Sequence, residues 1–289
     1  MNTCRAPDPN PIKPAFKLLP GACDAHCHVF GPAAKFPYAP DRAYTPPDAP
    51  VEQLRKLHAH LGFSRAVIVH ASCHGTDMRV TLDAIAASAG AYRGIAMVEA
   101  SITDGRLAEL HAGGIRGIRF NFVRHLGGVP DIDELETLVR RIAPLGWHVV
   151  LHFDAQDIVE QAPLLAKISV PFVIDHMARV KAADGLEQAP FRMLCELLCT
   201  NPLAWVKVCG PERVSVGVRP FRDAIPFAQA LIAIAPERIL WGTDWPHPNI
   251  SKDMPNDGEL VNLFAEFTAD PVVQRKILVE NPARLYGFE

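Results

Sequence analysis

Apolar runs a few residues long, separated by stretches of helical periodicity, recur along this chain of 289 residues. Eight of them, at 22–29, 65–70, 93–98, 117–121, 148–153, 171–176, 204–208 and 238–243, have the length of buried strands. Several are rich in Val and Ile, as strands covered on both faces of a parallel sheet are. The clearest helical patterns lie at 78–89, 132–143, 157–167, 191–198 and 221–235. Strands alternating with helices predict βα units. Eight such units predict an α/β fold, a single (β/α)8 TIM-like barrel, which typically takes about 250 residues.

The barrel is expected over 21–289, with 270–289 as a closing helical segment. Residues 1–20 are polar and proline-rich and read as a tail or arm on the surface. The stretch 31–50 holds six prolines. It reads either as part of a lid over the site or as a surface excursion.

With 49% apolar and 21% charged residues, the composition is that of a globular protein. A net charge of −3 offers no attraction for nucleic acid or an anionic membrane. No apolar run is long enough to span a bilayer and no signal-peptide core is visible, so a cytoplasmic setting is expected. The seven cysteines read as small buried hydrophobes in a reducing compartment. Self-association into a homo-oligomer is compatible with such a barrel.

In barrels of this kind the chemistry sits at the C-terminal ends of the strands. The polar residues fall there. His26 and His28 end the first run, and H-x-H on a strand turns both rings to one face. His70, Ser72 and His74 follow the second. Arg119 and Asn121 lie on the fourth, with Arg124 and His125 beyond. His152 and Asp154 end the fifth, Asp175 and His176 the sixth. Glu212 and Arg213 follow the seventh, and Asp244 and His247 the eighth. Buried histidines need hydrogen-bond partners, so packing alone gives no reason to gather them on one rim. A carboxylate among imidazoles can activate water, and rim arginines suit a carboxylate ligand.

H-x-H on the first strand, His152 and His176 on the fifth and sixth, and Asp244 on the eighth resemble the amidohydrolase superfamily. The stretches Asp24–Pro32, Cys73–Asp77, Arg119–Val123, Ile142–His148, Pro211–Arg213 and Trp241–Pro248 resemble, within it, the 2-pyrone-4,6-dicarboxylate lactonase family. The resemblance implies hydrolysis of an acidic lactone in aromatic-compound catabolism. Asp244 would be the general base. His26, His28 and His176 would polarise the carbonyl. Tyr44, Ser72, Arg119 and Arg213 would hold the substrate's carboxylates.

Two positions depart from that family: His152 stands where it has tyrosine, and Arg124-His125 where it has lysine and arginine. The first restores the superfamily's single-metal pattern of His26, His28, His152 and Asp244. The resemblance therefore implies either no required cofactor or one zinc or manganese ion. The second moves or weakens one anion contact, so that either Arg124 reaches in instead or His125 binds a different group; Arg124, His125 and His152 are thus further candidate substrate contacts. It opens related substrates, a sulfomuconolactone or a sugar-acid lactone. Lactone isomerisation and metal-dependent decarboxylation remain as alternatives.

Overall fold

A computed structural model describes residues 2–123, 130–250 and 253–289. Eight parallel strands pair in sequence order: β1 (Cys23–Cys27), β2 (Arg65–Val69), β3 (Tyr92–Ala96), β4 (Ile115–Asn121), β5 (His148–His152), β6 (Phe172–Ile174), β7 (Ala204–Lys207) and β8 (Ile239–Leu240). The ring closes through the segment beyond β8. Ala25 N donates to Trp241 O at 3.0 Å, Asp244 N to His26 O at 2.7 Å, and His28 N to Trp245 O at 2.8 Å. This is the expected (β/α)8 barrel.

Inside the ring, Cys23, Ala25, Val67, Val69, Ile95, Val150, Val173, Trp205 and Leu240 pack together. Tyr286, from the closing helix, joins this cluster. Outside, helices bury one stripe against the strands. In helix Ile132–Ile142 the buried positions are Leu135, Leu138, Val139 and Ile142, the spacing of a single helical face. Its Asp131 cap accepts from Asp133 N and Glu134 N. Each such leucine contributes about 2 kcal/mol on burial.

Several strands are shorter than their apolar runs. The sixth stops at Ile174, because His176, Met177, Ala178 and Arg179 all take φ of 51–52°, a left-handed turn without a glycine. The eighth stops at Leu240. The helix expected at 157–167 is two helices, Ala155–Glu160 and Ala162–Leu165, divided at Gln161. Pro163, near the start of the second, has no N–H to continue the ladder. Helices Val51–Leu61, Asp104–Ala112 and Asp257–Phe267 complete the outer layer.

Strand β1 carries a bulge. Asp24 pairs with Ala66 but Cys27 with Ile68, so β1 has one extra residue. Simple alternation from Cys23 and Ala25, both inside the ring, would turn His26 outward. The bulge re-aims it, and His26 and His28 both reach the mouth.

Candidate active site

Asp244 is fully buried just past the end of the eighth strand. Its backbone is left-handed, with φ of 65°. That conformation costs a non-glycine residue about 1–3 kcal/mol. It is held from several sides. Asp244 N donates to His26 O, and His247 N donates to Asp244 O, both at 2.7 Å. The neighbouring Thr243 donates its N–H and hydroxyl to the Asp24 carboxylate at 2.9 and 2.7 Å. Asp24 is in turn 3.1 Å from His58 Nε2.

Three imidazoles converge on one oxygen of this carboxylate. Asp244 Oδ1 lies 3.2 Å from His28 Nε2, 3.4 Å from His26 Nε2 and 3.9 Å from His176 Nε2. The other oxygen, Oδ2, takes Arg213 Nε at 2.8 Å and Nη2 at 2.5 Å. Burial pushes the Asp244 carboxyl up, but Arg213, His176 and His28 outweigh it and hold the group well below the carboxylate range.

The tautomer of His28 follows from its other nitrogen. Nδ1 lies 2.7 Å from Val69 O, a pure acceptor, so Nδ1 carries the hydrogen. In the neutral ring, Nε2 then faces Asp244 Oδ1 with a lone pair. A proton or a metal ion belongs between them. The donor set of imidazole nitrogens and a carboxylate oxygen fits zinc or manganese. The compact group is His26, His176 and Asp244, whose ligand atoms lie within 4.8 Å of one another. Of the four expected ligands, His28 and His152 are not in it. His152 lies beyond His176, with ring centres 5.5 Å apart and its Nδ1 3.2 Å from Asn121 Oδ1.

His176 is shaped by the residues after β7. Cys209 Sγ lies 3.3 Å from His176 Nδ1, and burial holds its thiol well above the usual range, so it remains an S–H donor. Gly210 has φ of 65°, and a Cβ there would stand 2.6 Å from His176 Nδ1. A side chain at this position would displace the ring.

A second buried layer supports His26. Asp175 Oδ1 is 3.3 Å from His26 Nδ1 and 3.1 Å from Lys207 Nζ, while Arg119 Nη2 is 3.2 Å from Asp175 Oδ2. Lys207 Nζ also lies 3.1 Å from His26 Nδ1. Burial, then the Lys207 charge, pushes His26 down to about 4 despite Asp175. Burial raises Asp175, but Lys207, His26 and Arg119 together hold it well below its ordinary value. Burial likewise depresses His152 and His176, leaving neutral rings at pH 7.

Above this floor opens a cleft of about 90 Å³, lined by His28, Tyr44, Ser72, Arg119, His152, His176, Arg179, Arg213, Asp244, Pro248 and Asn249. Of the expected site residues, Tyr44, Ser72, Arg119, His152 and Arg213 therefore share one wall system with His28, His176 and Asp244. His26 lies directly behind, fully buried. Arg124 and His125 fall outside the described residues. Arg179, Pro248 and Asn249 in the lining, and Lys207 beneath it, were not singled out from the sequence. Arg119 Nε, Arg179 Nε and His152 Nε2 are buried without a hydrogen-bond partner among the described residues. Three arginines and unused polar atoms give this cleft groups that could hold an acidic molecule.

The other rim histidines hold loops. His70 lies 2.8 Å from Thr81 Oγ1 and 3.1 Å from Gly75 O. His74 Nδ1 is 3.3 Å from Pro37 O. His247 Nε2 is 3.1 Å from Asp257 Oδ1.

The amidohydrolase profile matches residues 23–288. The chain is 46% identical over 288 residues to 2-pyrone-4,6-dicarboxylate hydrolase of Comamonas testosteroni, covering 97% of this chain and 94% of that one. It is 42% identical to 4-sulfomuconolactone hydrolase of Rhizobium radiobacter, covering 98% and 96%. A solved structure of a probable 2-pyrone-4,6-dicarboxylic acid hydrolase from Acinetobacter baumannii, with citric acid bound, superposes with a TM-score of 0.81 at 29% identity. That match covers 93% of this chain and 100% of the other.

Proposed function

The chain belongs to the amidohydrolase family, and from that premise we propose that it hydrolyses an acidic lactone, 2-pyrone-4,6-dicarboxylate or a close analogue, in the breakdown of aromatic compounds. The observation that carries this reading is Asp244: an ionised carboxylate ringed by three imidazoles at the floor of an arginine-lined cleft.

In this reading the substrate's carboxylates dock on Arg119, Arg179 and Arg213, with Tyr44 and Ser72 alongside. The lactone carbonyl then lies over the imidazoles. Asp244 Oδ1 accepts a proton from water as the water oxygen bonds to the carbonyl carbon. The carbonyl electrons move to oxygen, and that oxyanion is stabilised by the Nε2–H of His176, whose Nδ1 takes the Cys209 S–H, and by His26 and His28 when their Nε2 carries a proton. Collapse breaks the ring C–O bond, and the departing oxygen recovers the proton held by Asp244. Water has entered, and the ring is open.

A base held so far below its ordinary value is a weak one. Arg213 provides the remedy. A substrate carboxylate competes for its guanidinium, and each contact drawn from Asp244 Oδ2 raises the basicity of Oδ1. Docking and base activation are then one event. His26, His28, His176 and Asp244 are the residues that would hold a divalent ion, which would supply Lewis acidity at the carbonyl. Among the described residues no helix is long and apolar enough to cross a membrane, and the proposed setting is cytoplasmic.

The test is a panel of acidic lactones followed by near-ultraviolet absorbance and by proton release, with and without added zinc or manganese. Ring opening is expected. Carbon dioxide release without ring opening would assign the decarboxylase chemistry instead. An isomerised lactone with no water incorporated would assign isomerase chemistry.

A further inference from the structure

The N-terminal residues brace two parts of the cleft wall from behind. Asn2–Thr3 forms a two-stranded parallel ribbon with Tyr44–Thr45, in the register Asn2 to Tyr44 and Thr3 to Thr45. Cys4 N donates to Thr45 O at 2.9 Å. Tyr44, in this ribbon, lines the cleft. On the other side, Cys4 Sγ donates to Asn249 Oδ1 at 3.4 Å, and Asn249 also lines the cleft. The arm thus ties the loop after β1 to the neighbouring loop after β8.

The arm is built in. Ile12 N donates to Asn256 Oδ1 at 3.0 Å, and Ala15 N and Phe16 N donate to Asn262 Oδ1 at 2.7 and 3.0 Å. A Cβ on Gly258 would stand 2.0 Å from Ile12 O, so this glycine is what lets the arm lie on helix Asp257–Phe267.

Cys4 fixes more than position. Burial raises its thiol above the ordinary value, so it is an S–H donor at neutral pH. A donor can engage only the oxygen of a carboxamide. With Oδ1 turned to Cys4, Asn249 Nδ2 turns away from the arm. Its N–H groups are then available to an acidic ligand in the cleft, rather than the lone pairs of Oδ1, which would repel one.

We propose that Cys4 is a positioning residue for ligand recognition: held in register by Thr45, it orients the Asn249 carboxamide so that the amide nitrogen serves the acidic group of the bound lactone. This rests on the lactonase reading for the identity of the ligand, but its test does not depend on turnover. The measurement is calorimetric titration of the full-length protein with isophthalate, a flat, non-reacting dicarboxylate. Asn249→Ala is expected to weaken binding about tenfold, and Cys4→Ala about threefold through loss of amide orientation. Cys4→Ser keeps an O–H donor and is expected to restore wild-type affinity. Unchanged affinity in Cys4→Ala, or a Cys4→Ser variant as weak as Cys4→Ala, overturns the proposal. So does wild-type protein that takes no dicarboxylate. Dicarboxylate binding that follows this order in a protein that opens no lactone would overturn the lactonase reading alone.

Discussion

Arg213 grips Asp244 by a single oxygen, with Nε at 2.8 Å and Nη2 at 2.5 Å from Oδ2. The other oxygen is left to His26, His28 and His176. One guanidinium therefore keeps the carboxylate ionised and also stands in the path of an incoming acid.

Arg213→Met separates these roles. Burial favours the neutral carboxyl and Arg213 favours the ionised one, so removing Arg213 lets the Asp244 pKa rise. The acid limb of the pH profile of kcat/KM is expected to move to higher pH, with KM raised roughly tenfold or more. A pH–rate profile on the variant checks this. An unmoved acid limb would remove Arg213 as the group that sets Asp244.

Arg179 rides on the left-handed turn after β6, its Nη1 3.3 Å from Asp154 Oδ1. Its Nε is buried with no hydrogen-bond partner among the described residues. Arg179→Met is expected to raise KM about tenfold and leave kcat within about threefold, as loss of a charge-assisted contact does. Steady-state kinetics on the active lactone decides it.

Asp24 accepts from Thr243 N and Oγ1 and lies within bonding distance of His58 Nε2 and His26 N. An asparagine offers one acceptor oxygen in place of two. Asp24→Asn is expected to cost about 3 kcal/mol in urea unfolding, since several hydrogen bonds to a buried charge are disturbed. It should also slow turnover, because Thr243 sets the approach of Asp244. A loss below about 1 kcal/mol would contradict the proposed closure of the barrel.

Stability should peak near pH 6.5. Burial chiefly depresses His26 to about 4, and His70 and His148 to about 3. Unfolding restores their ordinary value of 6.5, so their contribution is full above 6.5 and is lost as the pH falls toward those values. Asp175 and Asp244, also depressed, add to the loss below their ordinary 3.8. His247 runs the other way. Burial lowers it, but Asp257 and Glu212 prevail and raise it to about 10. Its contribution is full below 6.5 and is lost as the pH rises through 10. Melting temperature against pH tests this, and His247→Gln should flatten the alkaline limb.

The sequence made the strand positions legible because buried parallel strands are apolar runs, and strand ends then collected the polar residues. The pairing of His26 with His28 was visible from period-2 spacing, although the bulge at Asp24–Cys27 is what delivers both rings to the mouth. Lys207 was hidden: one lysine in an apolar strand gives no sign of facing inward, and its partner Asp175 lies just past the end of another strand. Arg179 was hidden because a run of left-handed residues without glycine has no local signature. Asn249 and Cys4 meet only through the fold, at opposite ends of the sequence.

The central claim is that Asp244 takes the proton from water. The direct measurement is the single-turnover rate of lactone opening by Asp244→Asn, on protein whose circular dichroism and dicarboxylate affinity match wild type. A rate reduced about a thousandfold or more is predicted, as expected when a general base is lost. A variant that opens the ring at a near-wild-type rate would contradict the account.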